Sequence, residues 1–226
     1  MIPLGAIINA LGITIGSLVG LAFGARLPER VRAIVFQGLG LCVLVIGFKM
    51  ALLTQNPLIV IFSIVIGSVA GEMIGLEARL IRVGDWLKGR LKSSNPLFTE
   101  GMVNASVLFC IGAMAIVGSI QDGILGDHAT LFAKAVLDLV IIMVMTASMG
   151  KGCIFSAIPV ALLQGGVTLL SRVLAPIFTE AAIANLSYTG SVMIFCVGLN
   201  LVWGKKIKVA NLLPTLVFAV LYALVF

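Results

Sequence analysis

The sequence predicts an all-α polytopic membrane protein, and three observations carry that prediction. Of its 226 residues, 61% are hydrophobic and 11% charged, with a mean hydropathy of +1.21, whereas about a quarter of the residues in a soluble domain carry charge. The apolar residues gather into stretches near the roughly 20 residues that a helix needs to cross the hydrocarbon core. Apart from Lys49, Lys134 and Arg172, every Lys and Arg falls in one of four short gaps: Arg26 to Arg32, Arg79 to Lys92, Lys151, and Lys205 to Lys208. Those are alternate gaps. The gaps between them hold Gln55, Asn56, Gln121, Asp122, Asp127, His128, Thr179 and Glu180. Basic residues in short loops stay on the cytoplasmic side, so the alternation predicts an inner-membrane protein with both termini outside.

Eight spans are expected, at about 3–25, 34–53, 57–76, 101–119, 129–149, 153–175, 188–203 and 208–226. The first lacks a basic leader and a small-residue cleavage site, and is read as a retained span. It carries Gly12, Gly16, Gly20 and Gly24, a small-residue stripe that lets another helix, in this chain or in a second copy, come close. The second span starts after Pro28, which suits a first helical turn. Gly67, Gly71 and Gly75 repeat the small-residue spacing in the third, where Glu72 either lines a vestibule or ties to a neighbour.

Glu77 to Thr99 is the only long connection. Arg79, Arg82, Lys88, Arg90 and Lys92 beside Ile81, Trp86, Leu87 and Leu91 read as an amphipathic segment on the headgroups, ended by Ser93, Ser94, Asn95 and Pro96. The fourth span opens with Asn104, and Gly118, Ser119, Gln121, Asp122 and Gly123 read as a turn after it. Lys134 and Asp138 in the fifth stand four residues apart, on one helical face, where they can neutralise one another. In the sixth, Ser156, Pro159, Gln164 and Gly165 predict a discontinuous helix broken at Pro159 and Gly165. The seventh is short, and Asn200 and Asn211 lie in the last two. Residues 1–92 and 101–175 have the lengths of a duplicated three-span unit, which must invert in the membrane, with 188–226 as two extra helices. The whole chain is then one transmembrane domain, 1–226.

The net charge of +6 implies anionic headgroups as partners rather than nucleic acid. Cys42, Cys110, Cys153 and Cys196 lie in or at the ends of spans, with no close pair, so they read as packing residues. With one His, no HExxH, no GxSxG and no Cys/His pairing, neither a metal, a cofactor nor an enzymatic nucleophile is expected.

Polar groups at membrane depth are costly and usually functional. The candidates for an ion or solute pathway are therefore Asp138, Lys134, Glu72, Asn104, Ser119, Gln121, Asp122, Ser156, Gln164, Asn200 and Asn211. Asn9 belongs to the same set of intramembrane amides. Each amide either ligates a solute or ties two helices together. Asp138 either binds a cation in competition with Lys134 or forms a structural pair with it. A transporter of a small ion or small polar solute accounts for these groups together; a passive channel and a sensor or assembly factor are the alternatives.

Phe109-Cys110-Ile111-Gly112-Ala113-Met114, running on through Gly118 to Gly123, is followed by Lys134, Asp138, Ser156, Pro159 and Gln164-Gly165. With Gly71-Glu72 before it and Gly198-Leu199-Asn200 and Asn211-Leu212-Leu213-Pro214 after it, the chain resembles the YqgA/YdfK-like family of bacterial integral membrane proteins, a domain-of-unknown-function family. The resemblance implies the membrane class and the same polar positions, and names no substrate.

Overall fold

A computed structural model describes residues 3–24, 28–111 and 113–225, so Gly112 of the central motif and Arg26 of the first basic gap lie outside the described residues. The chain is helical: α1 (Leu4–Gly24), α2 (Glu29–Ala51), α3 (Pro57–Ile74), α4 (Leu76–Arg90), α5 (Phe98–Cys110), α6 (Ala113–Ile124), α7 (Ala129–Met149), α8 (Ala157–Leu169), α9 (Ser171–Leu174), α10 (Glu180–Trp203) and α11 (Pro214–Val225). Short 3-10 turns, Lys151–Ser156 and Val209–Leu212, lead into α8 and α11.

Among the described residues, six helices are long and apolar enough to cross a membrane, α5 and α6 form one bent pair at 61°, and Val209–Leu224 is a shorter apolar helix. These correspond in order to the eight expected stretches. Large apolar side chains such as Ile34, Val45, Ile66, Val69 and Leu162 point outward, while Asn9, Asp138, Lys134 and Gln164 are buried. That inversion is stable only with hydrocarbon outside.

Glycines set the close pairings. A Cβ on Gly12, Gly16, Gly20 or Gly24 would run into Ala135, Leu139, Met143 or Ala147. The partner number rises with the glycine number, so α1 and α7 run parallel. The stripe is thus filled by α7 of the same chain and is not a free face for a second copy. Gly40, Gly47 and Gly198 let α2 meet α10 around Val202, Phe195 and Leu44, and Gly67 and Gly71 let α3 meet Thr215 and Asn211. In both of those pairs the numbers run oppositely, so the helices are antiparallel. Spans one and five are both odd, whereas two with seven and three with eight are of mixed parity, and these directions fit a chain that reverses at every span.

Three elements depart from the sequence reading. The seventh span is 24 residues long: Thr179 caps α10 by accepting the Ala182 N–H, and polar Ser187 is satisfied within its own helix. The fourth span bends at Ile111, whose backbone is extended. The chain then continues as α6, which makes Ser119, Gln121 and Asp122 helical rather than a turn. In the sixth span Pro159 is the third residue of α8 and Gly165 lies mid-helix; a Pro in a first turn forfeits no intrahelical bond. The break comes earlier, at Gly150 (φ 86°) and the 3-10 turn.

Candidate functional site

α1, α7 and α8 converge on one buried polar cluster. Asp138 Oδ2 accepts from Lys134 Nζ at 2.6 Å and from Asn9 Nδ2 at 3.0 Å. Asn9 Nδ2 also donates to Gln164 Oε1 at 3.1 Å. The Lys134 ammonium lies 5.6 Å from the centroid of the Phe109 ring of α5, which favours a cation over its face. Asn9 and Gln164 are 0% exposed, Asp138 4% and Lys134 7%. The sequence causes this directly. Four-residue spacing puts Lys134 over Asp138, and the neighbouring Gly12 lets α1 come near enough for the short Asn9 side chain to reach across. Two atoms are left over: Asn9 Oδ1 and Gln164 Nε2 are buried with no hydrogen-bond partner among the described residues. A lone acceptor and a lone donor at that depth suit a water or a small polar solute.

One helical turn away, Asp122 forms a second cluster. Gly5 precedes Asn9 by four residues on α1, and Thr168 follows Gln164 by four on α8. The Gly5 N–H donates to Asp122 Oδ1 at 3.4 Å and the Thr168 hydroxyl to Oδ2 at 3.2 Å. His128 Nδ1 pairs with Oδ1 of the same carboxylate. The Asp122 side chain is fully buried while that of His128 is 30% exposed. Gln121 Oε1 accepts from the Thr130 hydroxyl at 2.7 Å. Asp122 thus ties α1, α6 and α8 to the His128 turn.

A third cluster lies at the basic end. Glu72 accepts from Lys208 Nζ and from Asn211 Nδ2, each at 2.6 Å, and Asn211 Oδ1 accepts the Glu77 N–H at 2.7 Å. Lys205 Nζ stands 2.7 Å from Glu77 Oε1, close enough for attraction, although the oxygen has no well-angled hydrogen bond. The Glu72 hydrogen bond holds the Lys208 ammonium above its ordinary range. Asn200 closes the following loop, donating to Ile207 O and accepting the Lys206 and Ile207 N–H groups. Beside this cluster a cavity of about 270 Å³ is lined by Glu77, Asp85, Glu100, Asn104, Asn200 and Lys205. A larger cavity of about 690 Å³ opens between Lys92 and Lys151. Neither cavity includes Asp138.

The sequence candidates therefore separate. Asp138, Lys134 and Gln164 meet at the centre. Gln121 and Asp122 belong to the His128 end, and Glu72, Asn104, Asn200 and Asn211 to the basic end. Among the described residues Ser119 bonds only its own helix, to Ala115 O at 2.6 Å, and the buried Ser156 hydroxyl has no partner. The central cluster brings in Asn9, already among the intramembrane amides, and the second cluster adds His128 and Thr168, which the sequence did not single out. Four-residue steps to Gly5 on α1 and from Gln164 on α8 are the sequence signal for those additions. Among the described residues no group of three or more His, Cys, Asp or Glu is arranged to hold a metal.

Residues 4–224 match the family model described as "Protein of unknown function (DUF554)". The chain is 29% identical over 218 residues to "Uncharacterized membrane protein YdfK" of Bacillus subtilis (strain 168), covering 94% of this chain and 92% of that protein. It is 27% identical over 221 residues to "Uncharacterized protein YqgA" of Escherichia coli (strain K12), covering 96% and 94% respectively. No solved structure matches.

Proposed function

The chain belongs to the DUF554 family, whose description supplies no activity, and from its geometry we propose that it transports a small ion or small polar solute across the bacterial inner membrane. The observation that carries this reading is the buried Lys134–Asp138 pair bordered by the two unpartnered amide atoms of Asn9 and Gln164. A paired carboxylate deep in a bundle is neutral overall, and a small cation or proton that takes the carboxylate releases the lysine. Such an exchange changes which groups need partners at the α1–α7–α8 junction. That is the kind of two-state element that alternating access needs.

The placement of the site supports the same reading. Asn9 comes from one proposed half, 1–92, and Asp138 and Gln164 from the other, 101–175; sites in inverted-repeat transporters lie at that interface near the midplane. The orientation we propose sets the basic gaps on the cytoplasmic side. Three of them meet at one end, through Asn95 with Met149 and Glu77 with Lys205. A passive channel is less well supported, because its lining would more naturally be rings of like residues and here one salt bridge closes on itself.

The test is flux in proteoliposomes of purified protein, with an entrapped pH dye for protons and sodium and rubidium tracers for larger cations, under an imposed potential. The reading expects flux of at least one probe above protein-free vesicles, reduced by Asp138→Glu. Vesicles that carry none of these probes, nor uncharged polar tracers such as glycerol and urea, would contradict it.

A further inference from the structure

The larger cavity has a composition that the transport reading does not use. It lies where the end of α1, the loop after α4 and the turn after α7 meet, and Lys92, Ser94, Thr146 and Lys151 contribute its polar side. Leu21, Ile154 and Phe155 contribute an apolar wall. Neither lysine has a carboxylate partner among the described residues, whereas Lys134, Lys205 and Lys208 each do. Thr146 is 1% exposed, and its hydroxyl, which lies near the Cys153 thiol, makes no well-formed hydrogen bond among the described residues.

The backbone has been shaped to hold the two lysines there. α4 ends in a Schellman turn, with the Lys92 N–H on Gly89 O and the Ser93 N–H on Lys88 O. The residue at the left-handed position of that motif is usually glycine. Here it is Lys92, at φ 48°, while every other positive-φ position among the described residues is a glycine. Opposite it, Gly150 turns the chain from α7 to Lys151, and Asn95 Nδ2 donates to Met149 O at 2.7 Å, stitching the two loops together. A Cβ on Gly150 would collide with that Asn95 amide. Lys92, kept in a conformation that disfavours it, and Lys151, neither paired with a carboxylate among the described residues, thus line one stitched pocket.

We propose that this cavity binds a phosphate group bearing net negative charge. The two ammonium groups take its oxygens, and the Leu21, Ile154 and Phe155 wall fits the first methylenes of a lipid that carries it.

The experiment uses delipidated full-length protein in detergent, followed by native mass spectrometry with phosphatidylglycerol or phosphatidylcholine at equal concentration. Phosphatidylglycerol adducts should exceed those of phosphatidylcholine and fall about fivefold for each lysine removed, the weight of one basic residue at an anionic surface. Lys92→Gly is the sharpest variant. It relieves the left-handed strain, so the melting temperature should hold or rise while lipid retention drops, which a merely structural lysine would not do. Lys151→Gln should lower retention likewise, and Lys88→Gln with Arg90→Gln, off the cavity, should not. A melting shift with inorganic phosphate that requires Lys151 assigns the site to a free anion; retention of phosphatidylglycerol without such a shift assigns it to lipid. Equal binding of the two lipids, or full retention in Lys92→Gly with Lys151→Gln, overturns the proposal.

Discussion

Two ion pairs in this molecule share a nitrogen-to-oxygen distance of 2.6 Å and differ in everything around it. The side chains of Lys134 and Asp138 are 9% and 5% exposed, and those of Lys208 and Glu72 61% and 59%. The first pair has been taken out of reach of solvent, so each charge depends on the other. The second is screened, and water replaces either partner at small cost. Distance alone does not tell a buried, mutually dependent pair from a surface contact; what would surround the stranded charge does.

Breaking the pairs one at a time gives the largest contrast. Asp138→Asn strands the Lys134 ammonium inside the bundle and should cost about 3–5 kcal/mol, measured by denaturation in detergent. A second change, Lys134→Met, should recover most of that loss by removing the charge and keeping the length. If Asp138→Asn unfolds no more easily than the wild type, the pair is not buried in the sense argued.

The next effect concerns what brings α1 to the pair. Gly20→Val puts a side chain against the Met143 carbonyl and should cost about 1–3 kcal/mol by overpacking. Gly166→Ala, with nothing within 4 Å of its added carbon, should leave the melting temperature nearly unchanged. A milder version acts at the cluster itself: Asn9→Leu leaves Gln164 Oε1 without its donor and should cost about 1–2 kcal/mol.

The exposed pair gives the smallest effect. Glu72→Gln should not move the melting temperature measurably. Because Glu72 raises the Lys208 ammonium above the ordinary value of 10.5, the contribution of that group is fully present below 10.5 and is lost only as pH rises through the raised value. Stability should therefore show no step from this pair across the neutral range. A step there, abolished by Glu72→Gln, would mean the basic end is less open to water than its exposure implies.

The spans could be read from the sequence because hydrocarbon imposes length and apolarity on each crossing independently. Lys134 and Asp138 were legible for a similar reason: their pairing is local to one helix. The bend at Ile111 was not, since no proline marks it and the extended residue is an isoleucine. Pro159 pointed to the wrong place, because a proline in a first turn breaks nothing. The start of α10 is obscured by Asn185 and Ser187, whose polarity looks like a gap until the Thr179 cap is taken as the start. Asn9 and Thr168 meet their partners across 129 and 46 residues of chain, so four-residue spacing places them on the right helical faces but does not name those partners. Asp122 was assigned to a turn because its neighbours are turn-forming glycines, yet the close packing of Gly123 on Thr168 and Ser171 is what buries it.

The central claim is that the buried pair, and not the exposed one, carries transport. Its most direct test reconstitutes the wild type, the refolded-to-stability double variant Asp138→Asn with Lys134→Met, and Glu72→Gln at equal protein density, and measures the flux of whichever probe the wild type moves. The account predicts flux at the level of protein-free vesicles for the double variant and near wild-type flux for Glu72→Gln. A folded double variant that keeps wild-type flux would contradict it and leave Lys134 and Asp138 as structural partners.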